Sequence, residues 1–221
     1  MGLQKISFKV PPGLWENFSK QAGSLFLARA PFLNHMISKE AKELAADLAG
    51  KRLSLRAKRH ISGMLKQQGA KSVNIEVEES TAAALNKVIQ EGNLVRDAFL
   101  CRMIIFLRGS DWLLNYLEVP LEAQGGGGHE AMPSSPMKAL EAVRDDPLYY
   151  IRSTVLKSWK CGIYAIRLPD SLDWSACYLE DSEVPGTKAF KKDRQEMAEA
   201  FELQEREAFA VAPEISKGKR K

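Results

Sequence analysis

Lys5, Ser7 and Lys9 alternate with Ile6, Phe8 and Val10 in the stretch KISFKVPP, residues 5–12. On an extended strand this alternation sets three hydrogen-bonding groups on one side and three apolar groups on the other. Two ammonium groups and a hydroxyl in a row are suited to recognition: they donate hydrogen bonds to acceptors on a partner. Pro11 and Pro12 stop the pattern. A strand of six residues cannot form a sheet alone. It needs a second strand beside it and a core beneath its apolar row.

The residues that most often do catalysis are not arranged for it. His35, His60 and His129 are widely separated. Cys101, Cys161 and Cys177 are odd in number and lack C-x-x-C spacing, so they read as reduced core thiols. No nucleophile–base pair, metal-ligand spacing or phosphate loop stands out. The expectation is a non-enzymatic protein that calls for no cofactor and no metal. The 45% hydrophobic and 27% charged shares are ordinary for a globular chain. No apolar run approaches the roughly 18 residues of a membrane helix. The first six residues have no apolar signal core and no Ser or Thr at position 6 for myristoylation. A cytoplasmic protein without a membrane partner is expected. Residues 1–121 carry 17 Lys and Arg against 11 Asp and Glu, a net of +6; the remainder carries 15 against 17, a net of −2. A polyanion would be drawn to the first half.

The strand's partner emerges when the chain is slid along itself. At an offset of 67, ISFKV (6–10) falls on VNIEV (73–77), and LARAPFLNHMI (27–37) falls on LVRDAFLCRMI (94–104). Leu27, Arg29, Phe32, Leu33, Met36 and Ile37 recur as Leu94, Arg96, Phe99, Leu100, Met103 and Ile104. Each copy reads as a strand, a helix over about 12–23 or 81–91, a break, and a second helix over about 25–49 or 94–108. The first helix starts at Pro11-Pro12 in one copy and behind Ser80 as N-cap in the other. Trp15, Phe18 and Ala22, and then Leu85, Val88 and Ile89, form its apolar face.

Strand, helix, helix, twice in register, resembles the ribbon-helix-helix fold of the Arc and MetJ repressor family, over residues 5–50 and 72–110. The fold class expected is mainly α with a two-stranded β-ribbon. Two strands pair antiparallel above four helices, within one chain or between two. The resemblance implies double-stranded DNA as partner, with the ribbon in the major groove. Lys5, Ser7 and Lys9, and Ser72, Asn74 and Glu76, would then face base edges. Lys suits guanine O6 and N7, and Asn suits adenine N6 and N7. Glu76 departs from the pattern, because a carboxylate is repelled by phosphates. The competing reading is a solvated sheet face.

The resemblance also implies that the start of each second helix holds a phosphate. Here that means Leu27, Ala28 and Arg29, and Leu94, Val95 and Arg96. Asn93 would be the N-cap of the second copy, and the turn of the first copy would differ, with Phe26 in place of Asn93. Arg29 and Arg96 could equally be surface or ion-paired arginines. The connector 51–71 holds Lys51, Arg52, Arg56, Lys58, Arg59, Lys66 and Lys71 and no acid. It reads either as a clamp on a nucleic-acid backbone or as a solvated link, with a helical middle and a stripe of Leu55, Ile61 and Leu65.

Beyond residue 111, WLLNYLEVPLEAQ offers Trp112, Leu113, Tyr116 and Leu117 to a core, and the glycine-rich 122–136 reads as a linker. A small α+β region follows over 137–212. It has a helix at PMKALEAVRDD, strands at CGIYAIRLP and DWSACYLE, a strand or helix at YYIRSTVLKSW, and an amphipathic helix over 188–209. A basic tail ends the chain at 213–221. On composition the linker separates two independently folding parts. The expected role is a transcriptional regulator or an accessory factor at a plasmid or phage site, as a homodimer or higher assembly. The alternatives are an antitoxin-type protein that holds a toxin through the C-terminal region, and an interaction scaffold without DNA.

Overall fold

The computed structural model describes residues 2–121, 135–138, 146–168 and 175–215. Its one sheet is a two-stranded antiparallel ribbon of β1 (Leu3–Val10) and β2 (Lys71–Glu78), formed within the chain; the rest is mainly helical. Ser7 stands opposite Asn74, Lys5 opposite Glu76, and Lys9 opposite Ser72. Ile6, Phe8, Val10, Ile75 and Val77 are buried beneath the ribbon.

Each strand leads into two helices: α1 (Pro12–Ser24) and α2 (Arg29–Asp47) after β1, then α4 (Glu79–Glu91) and α5 (Arg96–Arg108) after β2. Pro12 suits the first position of α1, where a missing N–H costs nothing. The second helix of each copy packs on the other copy: α2 against α4 and β2, α5 against α1 and β1. Neither copy could bury its apolar face without the other. Phe32, Leu33, Met36 and Ile37, and Phe99, Leu100, Met103 and Ile104, are all in one core.

The turn between helices is the same in both copies, contrary to the sequence expectation. Phe26 and Asn93 both adopt left-handed φ, 55° and 51°. Leu27 N–H donates to Ala22 O and Leu94 N–H to Ile89 O, both at 2.9 Å, the six-to-one bond that closes a helix C-terminus. Asn93 therefore ends α4 and does not cap α5, whose N-cap is Val95. Ser80 likewise lies inside α4, behind Glu78. The connector forms α3 (Leu55–Gln67), capped by Ser54; Ala57, Ile61 and Leu65 are buried, and Leu55 is exposed. The four-residue step from 57 to 65 sets that face and turns Leu55 away.

Among the described residues the C-terminal region has no strand in place of the expected α+β arrangement. YYIRSTVLKSW is the helix α7 (Tyr149–Trp159), with Ile151 and Val155 inward. Ser175–Cys177 and Asp181–Glu183 are single 3-10 turns. In residues 161–168 several backbone groups bond to side chains. Tyr164 N–H donates to Asp47 Oδ2 at 2.9 Å, and Leu168 N–H to Glu183 Oε1 at 3.2 Å. Arg167 O accepts from Tyr116 Oη at 3.2 Å. With those partners in place the segment needs no ladder. Residues 139–145 of the helix expected at PMKALEAVRDD, His129, most of the glycine-rich stretch and residues 216–221 of the basic tail lie outside the described residues.

The two parts pack against one another. Leu148, Ile151, Val155, Ile163, Tyr164, Leu168, Leu179 and Val184 belong to the same core as the ribbon. The short α6 (Asp111–Tyr116) joins this packing: Leu113 and Leu114 are buried, while Trp112 is exposed and stacks on Tyr116, which in turn meets Trp159 at 5.3 Å. Last comes α8 (Lys188–Ile215).

Candidate nucleic-acid interface

The ribbon's outer row consists of Lys5, Ser7 and Lys9 on β1 and Ser72, Asn74 and Glu76 on β2, all exposed. Ser7 Oγ and Ser72 Oγ share a hydrogen bond of 2.7 Å, which ties the middle of the row together. The inner row is apolar, so the strands hold this side chain presentation by burial on the other side. The charges are unevenly placed. Lys9 and the exposed Lys71 lie at one end of the ribbon. Lys5 lies at the other, facing Glu76, with Glu78 and Glu79 just beyond. One end can attract an anion; the other is close to self-neutralised.

The two helix starts differ. Arg29 is exposed; its Nη1 donates to Ser19 Oγ at 3.0 Å and its guanidinium lies 5.7 Å from the Trp15 ring. Arg96 instead donates from Nη2 to the carbonyl of Ser7 and braces the ribbon from below. Next to it Asp97 occupies the first turn of α5 and accepts the backbone N–H of Lys9. Burial pushes the Asp97 carboxyl above its usual range, partly offset by that hydrogen bond and by Arg96 and Lys9. A carboxylate at the positive end of a helix already takes the place an incoming phosphate would use. The first turn of α2 has no acid, though Pro31 removes one N–H.

The connector divides similarly. Lys51 Nζ pairs with Glu180 Oε1 at 2.7 Å, and Lys58 Nζ donates to Asn93 Oδ1 at 3.0 Å. Asn93 Nδ2 in turn donates to Leu53 O at 2.6 Å, so these groups fasten α3 to the α4–α5 turn. Arg52, Arg56 and Arg59 are exposed, with Arg56 lying against Gly186. Lys51, Lys58 and Asn93 thus have structural contacts.

Several charged residues that the fold depends on are not among the candidates named from the sequence. Asp97 was visible as the acid after Arg96 in LVRDAF, and its place in a helix's first turn was the signal. Arg102, alone in the apolar run FLCRMIIFL, signalled a buried counter-ion. It is fully buried and pairs with Glu183 Oε1 at 2.9 Å. Glu183 also accepts the N–H groups of Leu168, Leu179 and Glu180. A second buried acid, Glu40 on α2, accepts from Arg152 Nη2 at 2.8 Å and Tyr164 Oη at 2.7 Å. Burial raises the Glu40 pKa, with Arg152 and Tyr164 pulling the other way. These pairs lock the C-terminal region onto α2 and α5.

No family model, curated protein or solved structure matches this chain.

Proposed function

We propose that this protein binds double-stranded DNA as a tandem ribbon-helix-helix protein, with its intrachain ribbon laid in the major groove, and that it acts without catalysis as a regulator or as an accessory factor at a plasmid or phage site. The observation that carries this reading is the exposed polar row of a two-stranded ribbon, held rigid by two interlocked copies of one helical unit. A β-ribbon has the width to enter the major groove, where Lys and Asn read guanine and adenine edges. The charge distribution supports an uneven contact: Lys9, Ser72 and Asn74 carry most of the readout, and Lys5 contributes less because Glu76 faces it. Arg29 and the connector's Arg52, Arg56 and Arg59 are the cations best placed by exposure to meet phosphates.

The test is selection of bound duplexes from a random pool, followed by mobility shift with unrelated competitor DNA. Retention of one motif, lost in Lys9→Ala, supports the reading. Binding that is absent, or unchanged by every ribbon substitution, rejects it. A second reading, a protein-interaction scaffold that keeps the fold without DNA, is favoured by Glu76 opposite Lys5 and by Glu78 and Glu79 beside it. It requires that the chain select no duplex even at low salt.

A further inference from the structure

Among the described residues, the apolar side of α8 is left largely exposed. Its first turns are anchored. Phe190 N–H donates to Thr187 Oγ1 at 3.1 Å, and the Phe190 ring sits near the guanidinium groups of Arg167 and Arg194, 5.7 and 5.3 Å away. Arg167 also pairs with Asp193. From Arg194 to Ala208 every residue is exposed. Met197, Phe201 and Leu203 are 53%, 62% and 58% exposed. Phe190, Met197, Phe201 and Ala208 follow one another at steps of seven, four and seven residues, which places them on one side of a helix. A helix in water owes most of its stability to packing of such a face. Apart from Arg167, whose Nη1 lies 3.4 Å from Met197 Sδ, the described body does not cover it.

The charges on α8 identify what does. Residues 188–194 carry Lys188, Lys191, Lys192 and Arg194 against Asp193. Residues 195–208 carry Glu196, Glu199, Glu202, Glu205 and Glu207 against Arg206. A helix that is basic in its first part and acidic in its second is complementary to itself run backwards. A parallel pair would set cation on cation and acid on acid along its length. An antiparallel pair about a two-fold axis between Met197 and Phe201 sets Met197 against the partner's Phe201 and Phe190 against the partner's Ala208. Lys191 and Arg194, on one flank of that face, then lie beside the partner's Glu205, which is on the same flank. Such a contact is isologous and closed. We propose that α8 is a self-association helix through which two copies of this chain pair antiparallel, producing a dimer with two ribbons.

The test uses the full chain in sedimentation equilibrium over a wide concentration range, beginning from the 24.7 kDa monomer. The expected result is a reversible dimer whose dissociation constant rises more than tenfold in Phe201→Glu. Two further variants separate self-pairing from loss of folding. Lys191→Glu with Lys192→Glu makes α8 acidic in both parts, and Glu205→Lys with Glu207→Lys adds cations to its second part. Each should associate at least tenfold more weakly than the native chain, and the two mixed should form a one-to-one dimer. A native chain that stays monomeric throughout overturns the proposal and leaves the face to an unrelated protein. A dimer indifferent to all of these substitutions, or variants that fail to pair on mixing, also overturns it.

Discussion

The two copies of the repeat start from the same pattern and end in different surroundings. In the first copy Trp15, Phe18 and Phe32 form a run of rings linking β1's Phe8 to α2, with centroids 5.6 to 6.4 Å apart. The matching positions of the second copy are Ala82, Leu85 and Phe99. There Tyr164 from the C-terminal region meets Phe99 at 5.3 Å and Phe106 at 6.1 Å. His35 on α2 is half-buried, while its counterpart Arg102 on α5 is fully enclosed with Glu183. The first copy fills its core with its own aromatics. The second has smaller side chains and a buried cation, and the C-terminal region completes it. A repeat thus specifies two equivalent frames; the third part of the chain meets the first through Glu40 and Asp47 on α2 and the second through Phe99, Arg102 and Phe106 on α5.

This comparison can be broken most severely by removing that third part. Truncation after Leu121 strips Tyr164 and Glu183 from α5 and leaves Arg102 without its counter-ion. Loss of cooperative unfolding in calorimetry, or insolubility, is expected. A fragment that melts as sharply as the whole chain would mean the second copy is self-sufficient. Next in size is Arg102→Ala, which leaves the Glu183 carboxylate buried without its cation. Breaking a buried pair in this way costs about 3–5 kcal/mol, against a smaller loss for His35→Ala at the half-buried matching position. Urea denaturation measures both; equal losses would erase the difference between copies. Replacing Arg102 and Glu183 together by apolar residues should not restore stability, because three backbone N–H groups would lose their acceptor.

On the ribbon, the uneven ends predict an uneven response. Lys9→Ala should weaken specific duplex binding by about 1–3 kcal/mol if it reads a base pair, and Lys5→Ala by less. Glu76→Gln should strengthen binding by freeing Lys5. Titration with the selected duplex tests all three, and equal effects of the two lysines would show that the facing carboxylate has no influence. The smallest effect concerns the shared turn. Phe26 holds a left-handed φ with its side chain 96% exposed, where the second copy has Asn93. Left-handed backbone costs most L-residues about 1–2 kcal/mol and is tolerated by Asn. Phe26→Asn should therefore gain up to about 1 kcal/mol in denaturant melts. A loss instead would show that the Phe26 ring makes a stabilising contact within the folded chain that outweighs the backbone cost.

Much of the first half was legible because burial follows period. Alternation at residues 5–10 and 73–77, and four-residue steps along Phe32–Leu44, leave one way to hide the apolar atoms. The offset of 67 carried even the turn, although Phe26 for Asn93 disguised it: residue type there suggested a different break, while the hydrogen bonds donated by Leu27 and Leu94 to the Ala22 and Ile89 carbonyls enforced the same one. The C-terminal region was misread because its β-branched and aromatic residues mark burial, and burial alone does not separate strand from turn. Asp47 and Glu183 supply the hydrogen bonds that decided the matter, and both are distant in sequence from the backbone they hold or lie across a turn from it.

By itself the sequence determined the doubled strand–helix–helix order, the polar row Lys5, Ser7, Lys9 with Ser72 and Asn74, and the amphipathic side of α8. These are local periodicities, readable wherever side chains must alternate between water and core. Only the tertiary structure decided that the two strands pair within one chain, that Glu76 falls opposite Lys5, and that Asn93 and Lys58 serve a turn. It also decided that the C-terminal region closes over Arg102. Each of those depends on which distant segments meet, and that is settled by register, volume and the pairing of buried charge across many intervening residues.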